Sequence, residues 1–340
     1  MGEANYQPLT ASEMGALWTT YISNSMLCKV FSYGLGYVQD QDVRTHVQTA
    51  YDQASRVLDT LQGIFAKENF PVPVGFTEHD VNIAAKPLFD DTFFLTYVNM
   101  MGKLGTPQYA RFLALSTRED VRTFFSNCLT DSSAQYNQTT EAMLSKGILI
   151  RPPYISVPQK VDFVNNKHYM DGSALFTDKR TLNAVEISHL HRNTEANVLG
   201  FMVCVGFGQS AESQNVRNYM QRGKDMAKKH IKIFANRLLE SDIQAPMSWD
   251  ESAKDSTDPP FSDKLMMYHM STLTAASIES YGLAVAQGLR GDLSLTYTRL
   301  AAEVAQFAKD GADIMIKNGW MEEPPQADDR DKLIKRKNPE

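Results

Sequence analysis

The chain reads as an all-α protein, two tandem four-helix bundles that arose by internal duplication and are joined by an extended crossover. Three observations predict this. Apolar residues recur at helical spacing through most of the 340 residues, and strand-type alternation is confined to the middle. The chain repeats itself: Leu9, Ala11, Glu13, Gln41, Val43, Arg44, Gln48, Asp52 and Ala54 return 173 residues later as Leu182, Ala184, Glu186, Gln214, Val216, Arg217, Gln221, Asp225 and Ala227. The prolines follow, with Pro73, Pro87 and Asp90 matched to Pro246, Pro260 and Asp263, and past Gly105 the offset falls to 172. Third, both halves end alike: "EAMLSKGILIRPPYI" (141–155) and "DGADIMIKNGWMEEPPQADDR" (310–330) each run from an apolar helix through glycine to Pro-Pro.

Each unit divides into four helical segments, expected near 10–38, 41–68, 87–115 and 118–146, then 182–208, 212–241, 262–287 and 292–318. Val43, Val47, Ala50, Ala54, Val57, Leu61 and Phe65 mark one face of the second segment. Thr10, Ser12 and Thr117 are candidate N-caps, with Glu13 and Asp120 three residues beyond two of them. Pro107 lies inside the third segment, where a missing N–H and a steric clash predict a kink or break. The turns within each helix pair are short, whereas the second-to-third connection is about twenty residues long and proline-bearing. Short–long–short connectivity is the ferritin-like topology. The stretch "YISVPQKVDFVNNKHYMDG" cannot be helical around Pro158 and is read as the extended crossover. The domains are thus 1–153 (copy one), 154–181 (linker), 182–325 (copy two) and 326–340 (tail).

Composition narrows the function. A net charge of −6 and a pI near 5.7 argue against nucleic acid as a partner, because phosphate binding needs a basic surface. The N-terminus lacks the basic-then-apolar pattern of a signal peptide, and no apolar run is long enough to span a membrane. Synthesis in the cytoplasm is the expectation. Cys28, Cys128 and Cys204 are far apart in apolar stretches, as reduced buried thiols would be, and no Cys-x-x-Cys occurs.

A ferritin-like di-iron site needs a carboxylate from each of two helices and Glu-x-x-His from each of the other two. Copy one, whose histidines are His46, His79 and His168, has no such pair, and its helix middles read as apolar. In copy two, Glu186 and His189 have the spacing, but at the start of the first helix. His230 lies near an inward face, His269 shares a face with Leu265, Met266 and Leu273, and Glu303 lies near mid-helix; with Glu195 they form the candidate set for a single altered metal site, holding iron or another transition metal. The competing reading is edge-of-core groups and a hydrogen-bonded core histidine. In copy one the places of Glu195 and His230 are taken by Ile22 and Val57. No phosphate loop, nucleophile elbow or catalytic triad is visible.

Two further segments stand out. "DSTDPPFSDKLMMYH" (255–269) reads as a tight helix entry with Ser262 as N-cap, or as an acidic site of Asp255, Asp258 and Asp263. The tail docks through Trp320. Sixteen methionines imply soft, adaptable cores, and a small-molecule sensor built on them would require a cavity in the core.

The motifs "PFSDKLMMYH", "YGLAVAQGLRGDL" and "DGADIMIKNGWMEEPPQADDR" resemble a "domain of unknown function" family from spore-forming bacilli, over nearly the whole chain. The resemblance implies tandem ferritin-like bundles similar to spore coat protein F, with a role in the spore coat or sporulating cell. It implies no catalytic residues and no cofactor. The resulting expectation is a non-enzymatic structural or interaction protein whose partners are other proteins, spore-coat components or further copies of itself, with the metal-binding protein or oxidoreductase as alternative.

Overall fold

Thr10 opens the first helix, α1 (Ala11–Tyr37), because its hydroxyl accepts the Glu13 N–H while the Glu13 carboxylate accepts the Thr10 N–H, the capping box its spacing predicts. Asp40 caps α2 (Gln41–Lys67) after a three-residue turn. A long connection with a 3₁₀ turn at Glu78–Asp80 leads to α3 (Asp91–Ala114), which hairpins back as α4 (Glu119–Ser145). Copy two repeats the order with α5 (Ala184–Ser210), α6 (Gln214–Leu239), α7 (Asp263–Gln287) and α8 (Gly291–Lys317), and a short α9 (Arg330–Arg336) follows. The computed structural model describes residues 7–171, 180–245 and 253–336, and among these there is no β-strand, only isolated bridges. Gly147 and Gly319, 172 residues apart, both adopt positive φ (68° and 67°) where α4 and α8 end, which is why both copies need glycine there.

Three expectations are corrected in detail. α3 and α7 begin 172 residues apart, so the one-residue slip lies before α3, not after Gly105; Asp91, rather than Asp90, is the counterpart of Asp263. The two do the same work: Asp91 accepts the Gln39 and Asp40 N–H groups, and Asp263 those of Glu212 and Ser213. Thr117 does not cap α4, and Ser12 lies within α1; the N-cap of α4 is Arg118, without a side-chain cap bond. The N–H groups of Thr117 and Arg118 instead reach Glu13 of α1, 2.8 Å each. Finally, α3 runs through Pro107 as one helix, so of the kink or break expected there the break is overturned.

The core is shared. One apolar cluster runs through both copies, with Phe31, Phe93 and Tyr97 from copy one and Met202, Phe207 and Met270 from copy two. Separate clusters fill the far ends, around Phe65 and Phe125 in one and Phe234 and Tyr297 in the other. The two long connections lie antiparallel and exchange backbone hydrogen bonds, Asn82 N–H to Pro260 O and Lys254 N–H to Leu88 O. Trp320 packs on the central cluster and Glu322 accepts the Val74 and Gly75 N–H groups, docking the segment after α8 on copy one.

Candidate functional site

In copy two, α6 places His230 fully out of solvent at mid-bundle. Its Nδ1 lies 3.0 Å from Tyr281 Oη on α7 and its Nε2 lies 3.3 Å from Glu303 on α8. Asn197 on α5 donates to the same tyrosine oxygen at 2.8 Å, so all four helices contribute one side chain to this layer. Burial holds the His230 pKa below the ordinary histidine value, against the pull of Glu303, which is also bound by Lys229. His269 lies elsewhere, in the shared core. Its Nε2 is 2.6 Å from Tyr97 Oη of copy one, and its ring stacks on Tyr97 and meets the edge of Phe207. Burial pushes its pKa down to about 4, so the neutral imidazole is the form present near pH 7. Glu195 is claimed by Lys103 of copy one, with both carboxylate oxygens within 2.9 Å of Nζ.

Of the four candidate ligands, then, His230 and Glu303 are brought together, and Glu195 and His269 each join a different contact with copy one. Among the described residues no three His, Cys, Asp or Glu side chains converge. The early Glu-x-x-His is likewise spoken for: Glu186 pairs with Arg180 and accepts the Arg290 N–H, and His189 Nε2 lies 3.0 Å from Gln287. In the acidic segment Ser262 caps α7 as expected, and Asp263 serves the α5–α6 turn.

The matching layer of copy one is differently built. Tyr109 and Asn24 stand where Tyr281 and Asn197 do and keep the same hydrogen bond, 3.2 Å. Val57 replaces His230, and Asp131 replaces Glu303. Its middle is therefore not simply apolar as its sequence suggests. Around it opens a cavity of ≈750 Å³ that continues between α1, α3 and α7, whereas the corresponding space in copy two is ≈60 Å³. The Asn24–Asn197 identity was available at the 173-residue offset that aligns the first helices. Nothing in the sequence alone, however, marked either asparagine as a partner of the tyrosine.

With this geometry in place, the chain belongs to the family described as protein of unknown function DUF3231, whose model matches residues 2–161 and again residues 170–333. No curated protein matches it. Among solved structures it is similar to a candidate spore coat protein from Bacillus halodurans, with 20% identity over 44% of this chain and 98% of that one, at a TM-score of 0.40.

Proposed function

We propose that the protein is a non-enzymatic interaction protein of the spore coat or sporulating cell, which engages other coat proteins through the segment between its two bundles. The observation that carries this reading is the exposure of apolar side chains along that segment. Tyr154, Val157, Val161 and Phe163 each present about four-fifths of their surface to solvent, from 79% to 83%. A segment without helix or strand that bears exposed β-branched and aromatic residues suits pairing with another chain. The resemblance of its motifs to a family from spore-forming bacilli supports the cellular setting. The test is immunodetection in fractionated spores of a bacillus carrying the gene. The wild-type chain is expected in the coat fraction, and a Val157→Ser, Val161→Ser, Phe163→Ser variant with an unchanged circular dichroism spectrum is expected to be lost from it. Equal abundance in vegetative extracts, or coat recovery unaffected by the triple variant, would sink the proposal.

The His230–Glu303 contact favours a second reading, a single-metal site in copy two. One histidine and one carboxylate supply two of the four ligands a closed transition-metal site uses, so the first reading is preferred. Elemental analysis after anaerobic loading with ferrous iron and desalting separates the two. Retained iron that disappears in His230→Ala would reverse the preference.

A further inference from the structure

The duplication supplies an internal control, one topology built twice, in which the equivalent space among the described residues is ≈750 Å³ at copy one and ≈60 Å³ at copy two. The cause of the difference lies in α3. A Cβ at Gly102 would come within 3.0 Å of the Tyr136 backbone nitrogen, and one at Gly105 within 2.5 Å of Ser132 Oγ. These glycines let α3 settle against α4. Copy two carries Thr274 and Ser277 at the same places. Accordingly α5 lies close against α7, whereas α1 touches α3 only lightly, and the space opens between those two helices. Side-chain volume enlarges the difference. Facing the cavity, copy one presents Gln53, Cys128 and Ser132 where copy two has Met226, Leu300 and Val304.

We infer that this cavity binds an amphipathic carboxylate of the fatty-acid class. Its volume lies in the range of small-molecule sites, which span about 300–1,000 Å³. Met26, Leu27, Val57, Met101, Leu104 and Phe112 give it apolar walls suited to an alkyl chain. Charged side chains reach the cavity from two sides, Arg111, Glu279 and Arg192 from α3, α7 and α5 and Asp131 from α4. Arg111 is paired with Glu279, and Asp131 with Arg56. Arg192 of α5 also lines the cavity, is half-buried, and has no hydrogen-bond or ion-pair partner among the described residues. A guanidinium so placed matches a carboxylate bidentately, which positions the head at Arg192 and the chain inside copy one.

The test is fluorescence titration of the full-length protein with a dansyl-labelled undecanoic acid, followed by displacement with dodecanoic acid and with dodecanol. Saturable binding at one site per chain is expected. Gln53→Met with Cys128→Leu imports the residues that copy two accommodates at the same places. With an unchanged circular dichroism spectrum, it is expected to weaken the probe about tenfold or more. Arg192→Ala, which alters a half-buried side chain without a partner and leaves the core packing intact, is expected to weaken dodecanoic acid by a similar factor and dodecanol hardly at all. The inference is overturned by an absence of saturable binding to the wild-type chain. It is equally overturned by a cavity-filled variant that binds like wild type, or by an Arg192→Ala variant that treats acid and alcohol as the wild type does.

Discussion

Glu13 is nearly inaccessible to solvent and yet carries a full charge, because five donors converge on it: the N–H groups of Thr10, Thr117 and Arg118 and the hydroxyls of Thr10 and Thr117. Burial pushes its pKa up, but the backbone donors from Arg118, Thr10 and Thr117 outweigh it and hold the group at about 2. One carboxylate thus fastens the starts of α1 and α4. Glu13→Gln turns an acceptor into a donor facing N–H groups and should lower stability by about 3 kcal/mol in urea unfolding at pH 7, the cost of a buried charged hydrogen-bond cluster. His269 likewise favours its deprotonated form, which here is the neutral one. Its pKa is depressed from 6.5 to about 4, so between these values the unfolded chain binds more protons and stability falls as pH falls. The shift corresponds to about 3 kcal/mol, fully present above pH 6.5 and lost on acidification through 4. His191 and His230 are also depressed by burial and act in the same direction. His269→Gln should therefore flatten the fall in melting temperature between pH 6.5 and 4. An unchanged slope would show that this imidazole is not the group responsible.

At the scale of the element, two glycines of helical segments make opposite demands. Gly63 in α2 has nothing within 4 Å of a built Cβ, so Gly63→Ala should stabilise by about 0.5–1 kcal/mol through backbone entropy. Gly102→Ala meets backbone of α4 and should cost about 1–3 kcal/mol, since main chain cannot swing aside as a side chain can. Paired thermal melts of the two variants check the contrast. The difference explains what was legible in the sequence. Helix positions could be read because they depend on local periodicity and on caps such as Thr10 and Ser262, which lie beside what they cap. The cap of α4 could not, because its acceptor, Glu13, comes from more than a hundred residues earlier. The four candidate metal ligands were sought at mid-helix, and the inward face read for His230 and the apolar face read for His269 both proved buried. What periodicity does not reveal is which neighbour occupies the other side, and for His269 that neighbour is Tyr97 of the other copy.

At the scale of the whole molecule, that contact says how the copies are arranged. Tyr97 and His269 are 172 residues apart, the same offset that relates α3 to α7, so equivalent positions of the two copies touch each other. Equivalent residues meet in this way across the two-fold axis of an isologous dimer. The antiparallel pairing of the long connections fits the same relation. The protein is thus organised as a dimer written in one chain, with its central apolar cluster at the join rather than within either copy. Such a core cannot come apart without exposing large apolar surface, so the covalent link between the copies should be dispensable once the chain has folded. The linker is open to attack, with Lys160 largely exposed. Limited trypsin cleavage there should yield two fragments that co-elute in size-exclusion chromatography and melt in one calorimetric transition with equal calorimetric and van't Hoff enthalpies, as does the intact chain. Fragments that separate, or two resolved transitions in the intact protein, would mean that each bundle holds a self-sufficient core and that the Tyr97–His269 layer is a contact surface rather than the centre of the fold.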